Sequence, residues 1–155
     1  MTNADAISFP VIGVSSPRKG GRYAFVAENP AELQECLLHD YLAGLFDAQW
    51  FAGSDGRVFN AERMRIAGIA WRRAREVGLL MSVITSVFSG FNVPVRIDFD
   101  VRENGVIDVG ALRGVLRECV ECNPRLYTHR VGIQAVRAKL ARARSFAELA
   151  RAISN

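Results

Sequence analysis

From residue 95 to residue 102 the side chains alternate without exception: Val95, Ile97, Phe99 and Val101 are apolar, while Arg96, Asp98, Asp100 and Arg102 are charged. Successive side chains of a strand point to opposite faces, so the segment predicts a strand with one face in a core and the other in water. With the short connections and hairpin-like strand pairs found elsewhere in the chain, it favours a mixed α+β domain over a parallel doubly wound sheet.

The other apolar runs are short. Residues 7–14 are β-branched and apolar around Pro10, which predicts an edge strand, since proline cannot donate to a ladder. A connector rich in Ser, Pro and Gly follows over 15–22, and residues 23–27 predict a second strand. Trp50-Phe51 and Arg57-Val58-Phe59 flank Gly53-Ser54-Asp55-Gly56, which has the composition of a hairpin loop. Asn104-Gly105 suits a tight turn from the alternating strand into Val106-Ile107.

Helices are predicted between these strands. Asn29-Pro30-Ala31-Glu32 combines a cap, a first-turn proline and a returning glutamate, for a helix running to about residue 47. Asn60 caps a helix over 61–77 with Met64, Ala67, Trp71, Ala74 and Val77 as its inner stripe. Asp108 caps another, packing Val109, Leu112, Val115, Leu116 and Cys119 inward and stopping before Asn123-Pro124. The uncharged stretch 77–95 has the length of a membrane span. However, Ser82, Thr85, Ser86 and Ser89 share a helical face, and Gly90, Asn92 and Pro94 break the second half, so a buried helix is expected there and no span.

The expected fold class is α+β: a mixed or antiparallel sheet of short hairpin strands packed with about four to five helices. With 155 residues and 50% apolar content, one domain over 1–124 and an Arg-rich C-terminal helical extension over 125–155 packed on it are expected. The N-terminus lacks the basic and apolar regions of a secretory signal, and three cysteines, an odd number, argue for reduced thiols; a cytoplasmic protein is expected.

Charge is segregated. From residue 125 onward there are seven cations (Arg125, Arg130, Arg137, Lys139, Arg142, Arg144, Arg151) and one anion, Glu148. The tail thus carries 7 − 1 = +6, and the first 124 residues carry 4 − 6 = −2. Arginine predominates among the cations, which points to a GC-rich bacterial source and offers forked donors suited to carboxylates and phosphates. Arg130, Arg137, Arg144 and Arg151 step by seven opposite a seam of Ile133, Val136, Leu140, Ala143, Ala147 and Ala150, while Ser145-Phe146-Ala147-Glu148 has the form of a capping box that would restart the helix and rotate Arg151 off the row. The seam is thin, glutamates do not match the cations, and Tyr127 and Phe146 interleave aromatic surface with charge.

The expected partner-binding residues are therefore Arg130, Arg137, Arg142 and Arg144, supported by Arg65, Arg72 and Arg75 on the outer side of the 61–77 helix. The expected partner is an acidic protein, with the chain acting as an inhibitor, immunity protein or adaptor. Nucleic acid is the alternative; it ranks second because a dedicated nucleic-acid binder spreads cations over its core module.

Catalytic chemistry finds little support. Cys36 with His39, and Cys119 with Cys122, have the spacing of zinc ligands, but both pairs fall within predicted helices, where small buried thiols are common. Asp98 and Asp100 share a strand face about 6–7 Å apart and could hold a divalent cation in a hydrolase, yet alternation with Arg96 and Arg102 reads more simply as a self-compensating wet face. The 15–22 loop departs from a Walker motif at Arg18. No cofactor, bound metal or catalytic residue is expected.

Overall fold

The computed structural model describes residues 7–16, 21–42, 44, 49–70, 93–127 and 132–154, apart from the His39 side chain. The fold is α+β, with a curled antiparallel sheet of six strands and six helices among the described residues. The strands are β1 (Val11–Ser15), β2 (Tyr23–Ala27), β3 (Glu35–Leu37), β4 (Trp50–Ala52), β5 (Arg57–Ile69) and β6 (Pro94–Val106). The helices are α1 (Pro30–Gln34), α2 (Leu38–Leu42), α3 (Val109–Cys122), α4 (Pro124–Tyr127), α5 (Ile133–Arg142) and α6 (Phe146–Ile153).

The spatial order is β2-β1-β4-β5-β6-β3. The alternating strand forms as its pattern dictates: Val95, Ile97 and Phe99 are buried, and Arg96, Asp100 and Arg102 are exposed. It is longer than expected, because Asn104-Gly105 continues β6 rather than turning it. Strand β6 already has its partner in β5, where Val106 lies opposite Arg57, and Ile107 donates its N–H to the Gly56 carbonyl (2.9 Å) before Asp108 opens α3. The 53–56 loop makes the expected turn between β4 and β5, closed by Gly56 N–H to Gly53 C=O (2.9 Å).

Three predicted elements take other forms. Strand β1 is flanked by β2 and β4 and is no edge; it starts at Val11, one residue past Pro10, so the missing N–H costs the ladder nothing. The helix expected from residue 30 is capped as predicted, Asn29 accepting from the Glu32 N–H (3.1 Å), but it ends at Gln34. Residues Glu35–Leu37 instead extend along β6, placing Cys36 opposite Val95 in the core, and α2 follows. Residues 61–69, patterned like a helix, belong to β5. The remainder of that predicted helix, 71–77, and the uncharged helix after Gly78 lie outside the described residues. No helix among the described residues is long and apolar enough to cross a membrane.

The sheet has a core on each face. Inside its curl, Val11, Ala27, Cys36, Phe51, Phe59, Val95, Ile97 and Phe99 come from all six strands and pack with Leu33 of α1. On the outer face, Ile12, Val14, Ala24 and Ala52 meet Leu112, Leu116, Cys119 and Val120 of α3, Val136 and Leu140 of α5, and Leu149 and Ile153 of α6. Strand β1 serves both cores, which is why all its residues are buried.

Inside the curl, Gly13 permits the Phe25 ring to cross the neighbouring strand. A Cβ at Gly13 would stand 2.3 Å from Phe25 Cζ, and that ring is held edge-on to Phe51 with centroids 6.5 Å apart. Gly13→Ala is expected to lower stability by about 1–3 kcal/mol through overpacking. Urea denaturation checks this, and an unchanged midpoint would show that the ring moves aside freely.

Candidate functional site

Two of the C-terminal helices, α3 and α6, start at side-chain caps. Asp108 accepts from the Gly110 and Ala111 N–H groups (2.7 and 2.9 Å) at the start of α3. Ser145 restarts the chain as α6: its hydroxyl accepts from the Glu148 N–H (3.2 Å), while the Glu148 carboxylate accepts from the Arg144 N–H (2.6 Å). The tail is thus two described helices after α4, not one continuous rod.

Two features expected of the tail are corrected. The seam is not thin, since Val136, Leu140, Leu149 and Ile153 are all in the outer core. Nor do the aromatics lie among the cations at the surface. Tyr127 is buried, and its hydroxyl accepts from the Ala24 N–H (2.6 Å) and donates to the Ala24 carbonyl (3.0 Å); burial chiefly pushes its pKa up to about 12. Phe146 packs on the outer core with its ring against Gly56.

What remains at the surface is charge. Arg137, Lys139, Arg142, Arg144 and Arg151 are exposed on or beside α5 and α6. Arg137 lies 3.6 Å from Glu121 of α3. Among the described residues, no ion pair engages the side chains of Arg125, Arg142, Arg144 or Arg151. Arg142 stands about 140° around α5 from Arg137 at 3.6 residues per turn, so the expected residues do not form a single row. Arg130 lies outside the described residues.

Helices α3 and α5 run antiparallel. Near the start of α3, Arg113 donates to the Ala143 carbonyl at the end of α5; near the end of α3, Glu121 faces Arg137. Between these contacts, Arg117, Glu121 and Arg137 line a cavity of about 280 Å³. Arg113 and Arg117 are not among the partner-binding residues expected from the sequence. Their signal is the spacing of four in Arg113, Arg117 and Glu121, which puts all three on one stripe of α3.

The second charged locus is the β5–β6 ribbon. The structure brings Arg65 opposite Asp98, joining two residues that the sequence assigns to different chemistries, and Glu62 opposite Asp100. Arg63, in a left-handed conformation (φ 52°) at the bulge between Glu62 and Arg65, reaches to 3.8 Å from Asp100, and Arg102 to 3.9 Å from Glu62. A cavity of about 270 Å³ is lined by Arg63, Arg65, Asp98, Phe99 and Asp100. The two aspartates therefore face guanidinium groups. Arg65 lies on this strand, not on a helix; Arg72 and Arg75 lie outside the described residues.

The cysteine arrangement is equally clear. Cys36 belongs to the inner core and Cys119 to the outer, so the sheet separates them. Burial pushes the Cys119 thiol up to about 11, away from the thiolate a metal would need. Cys122 is exposed, none of the three forms a disulfide, and the His39 side chain lies outside the description. Among the described residues, no group of His, Cys, Asp and Glu is placed to hold a metal.

Compared with known proteins, the chain matches no family model, no curated protein and no solved structure.

Proposed function

We propose that the chain is a non-catalytic binding protein whose C-terminal helices engage an acidic protein, in the manner of an inhibitor, immunity protein or adaptor. One contrast carries this reading. On the ribbon and its turn, three arginines stand beside intramolecular carboxylates, Arg57 with Asp55 and Glu103, Arg63 with Asp100, and Arg102 with Glu62, while Arg65 and Arg96 have no ion pair among the described residues. On α5 and α6, Arg142, Arg144 and Arg151 have no such partner among the described residues. Unmatched cations create a local positive field that steers an anionic surface into contact. The absence of disulfides accords with a reducing compartment such as the cytoplasm.

The test is capture from a native lysate, with and without nuclease, by the wild type and by a variant carrying Arg142→Glu, Arg144→Glu and Arg151→Glu. The expected result is an acidic protein retained after nuclease treatment and reduced at least about tenfold on the variant, since reversing each exposed charge weakens steering and contact together. Loss of the captured material on nuclease treatment would make the partner nucleic acid. Equal capture by both chains would reduce these arginines to solubilising charge.

A further inference from the structure

We propose that the cavity between α3 and α5 receives a single carboxylate side chain from an acidic segment of the partner protein, with Arg117 and Arg137 as its two anchors and Glu121 as the group it displaces. This deepens the reading of an acidic partner and rests on it.

Arg113, Arg117 and Glu121 recur every four residues and so line one side of α3. The outer two are engaged with α5: Arg113 donates to the Ala143 carbonyl, and Glu121 lies 3.6 Å from Arg137. Arg117, midway between them, is exposed and has no ion pair among the described residues. A cation without an ion pair among the described residues, a neighbouring cation beside Glu121, and a cavity of about 280 Å³ lined by all three together make a receptor for an anion.

Charge narrows the occupant. Arg117 and Arg137 against Glu121 leave one net positive charge at the cavity, which matches a carboxylate and falls short of a phosphate dianion. Glu121 already offers Arg137 a carboxylate at 3.6 Å, longer than the roughly 2.7–2.9 Å of a close charge-assisted hydrogen bond. A partner carboxylate seated between both guanidinium groups replaces that contact in kind and gains Arg117 as well. Glu121 is thus an internal competitor.

The competitor role gives the experiment a sign that damage to the fold does not imitate. Binding of a fluorescein-labelled peptide of mixed Glu and Asp is followed by anisotropy at low salt, in parallel with a labelled single-stranded oligonucleotide. Arg117→Ala and Arg137→Ala are each expected to weaken peptide binding about tenfold, the loss of one charge-assisted contact. Glu121→Gln is expected to tighten it about threefold by releasing Arg137. Arg102→Ala, on β6 beside Glu62 and outside the cavity, is expected to change it less than about twofold. Peptide binding that is insensitive to Arg117, Arg137 and Glu121 but falls in Arg142→Ala or Arg144→Ala overturns the cavity while leaving the acidic-partner reading intact. Weaker binding in Glu121→Gln overturns the displacement. Binding of the oligonucleotide alone overturns the carboxylate site and the acidic-protein reading together.

Discussion

Leu149→Ala is expected to lower the unfolding free energy by about 2–5 kcal/mol, the usual range for emptying a fully buried leucine site. Leu149 has no solvent exposure and packs in the cluster that joins Ile12 and Val14 of the sheet to Leu112, Leu116 and Leu140. A peripheral basic arm would respond otherwise, since exposed substitutions usually stay within about 0.5 kcal/mol. The shape of the transition is informative too. With α6 in the same core as β1, urea unfolding of the wild type and the variant is expected to be one cooperative step at a lower midpoint in the variant. Two separate steps, or an unchanged midpoint, would show that the tail folds apart from the sheet.

Tyr127→Phe is expected to cost about 2–4 kcal/mol. The phenol makes two hydrogen bonds to Ala24, one to its N–H and one to its C=O, and a phenyl ring would leave both backbone groups buried without a partner, at about 1–3 kcal/mol each with partial relief from water. Alkaline titration gives an independent sign. Burial holds the folded-state pKa of Tyr127 near 12, above the ordinary value of 10.0, so the folded protein keeps a proton that the unfolded chain releases. The stabilisation is complete below the unfolded value and is lost as pH rises through the interval between the two. Wild-type stability is therefore expected to fall from about pH 10 towards 12, and to fall less steeply in Tyr127→Phe. Identical slopes would refute a buried, protonated phenol. Tyr23, also raised by burial, retains part of the slope in the variant.

Where a residue's role is set by its near neighbours, the sequence shows it. Asp108, Asn29 and Ser145 cap the helices their positions predict, because a cap needs only the next three residues. The alternation over 95–102 is legible for the same reason: one uninterrupted face is wet. Strand β5 is not legible. Its register slips between Glu62 and Arg65 and again between Ile66 and Gly68, and each slip breaks the period of two, leaving Met64 and Ala67 at a spacing that mimics a helix. Residues Glu35–Leu37 are too few to show any period, and they are extended because β6 offers them a ladder, a decision made some sixty residues downstream. The candidate site divides along the same line. The excess of arginine is visible in composition, but which cations are matched depends on pairings between elements: Arg63 with Asp100 across the sheet, and Arg137 with Glu121 across two helices.

Because Val136, Leu140, Leu149 and Ile153 fix α5 and α6 to the sheet, the guanidinium groups of those helices ride on a backbone that is ordered before any encounter. The proposed acidic partner, docking there, would restrict side-chain rotamers alone, at roughly 0.5–1.5 kcal/mol apiece, with no coil-to-helix ordering to oppose it. Recognition on such a platform would be rigid-body, and ionic strength would act on how fast the molecules meet more than on how long they stay together.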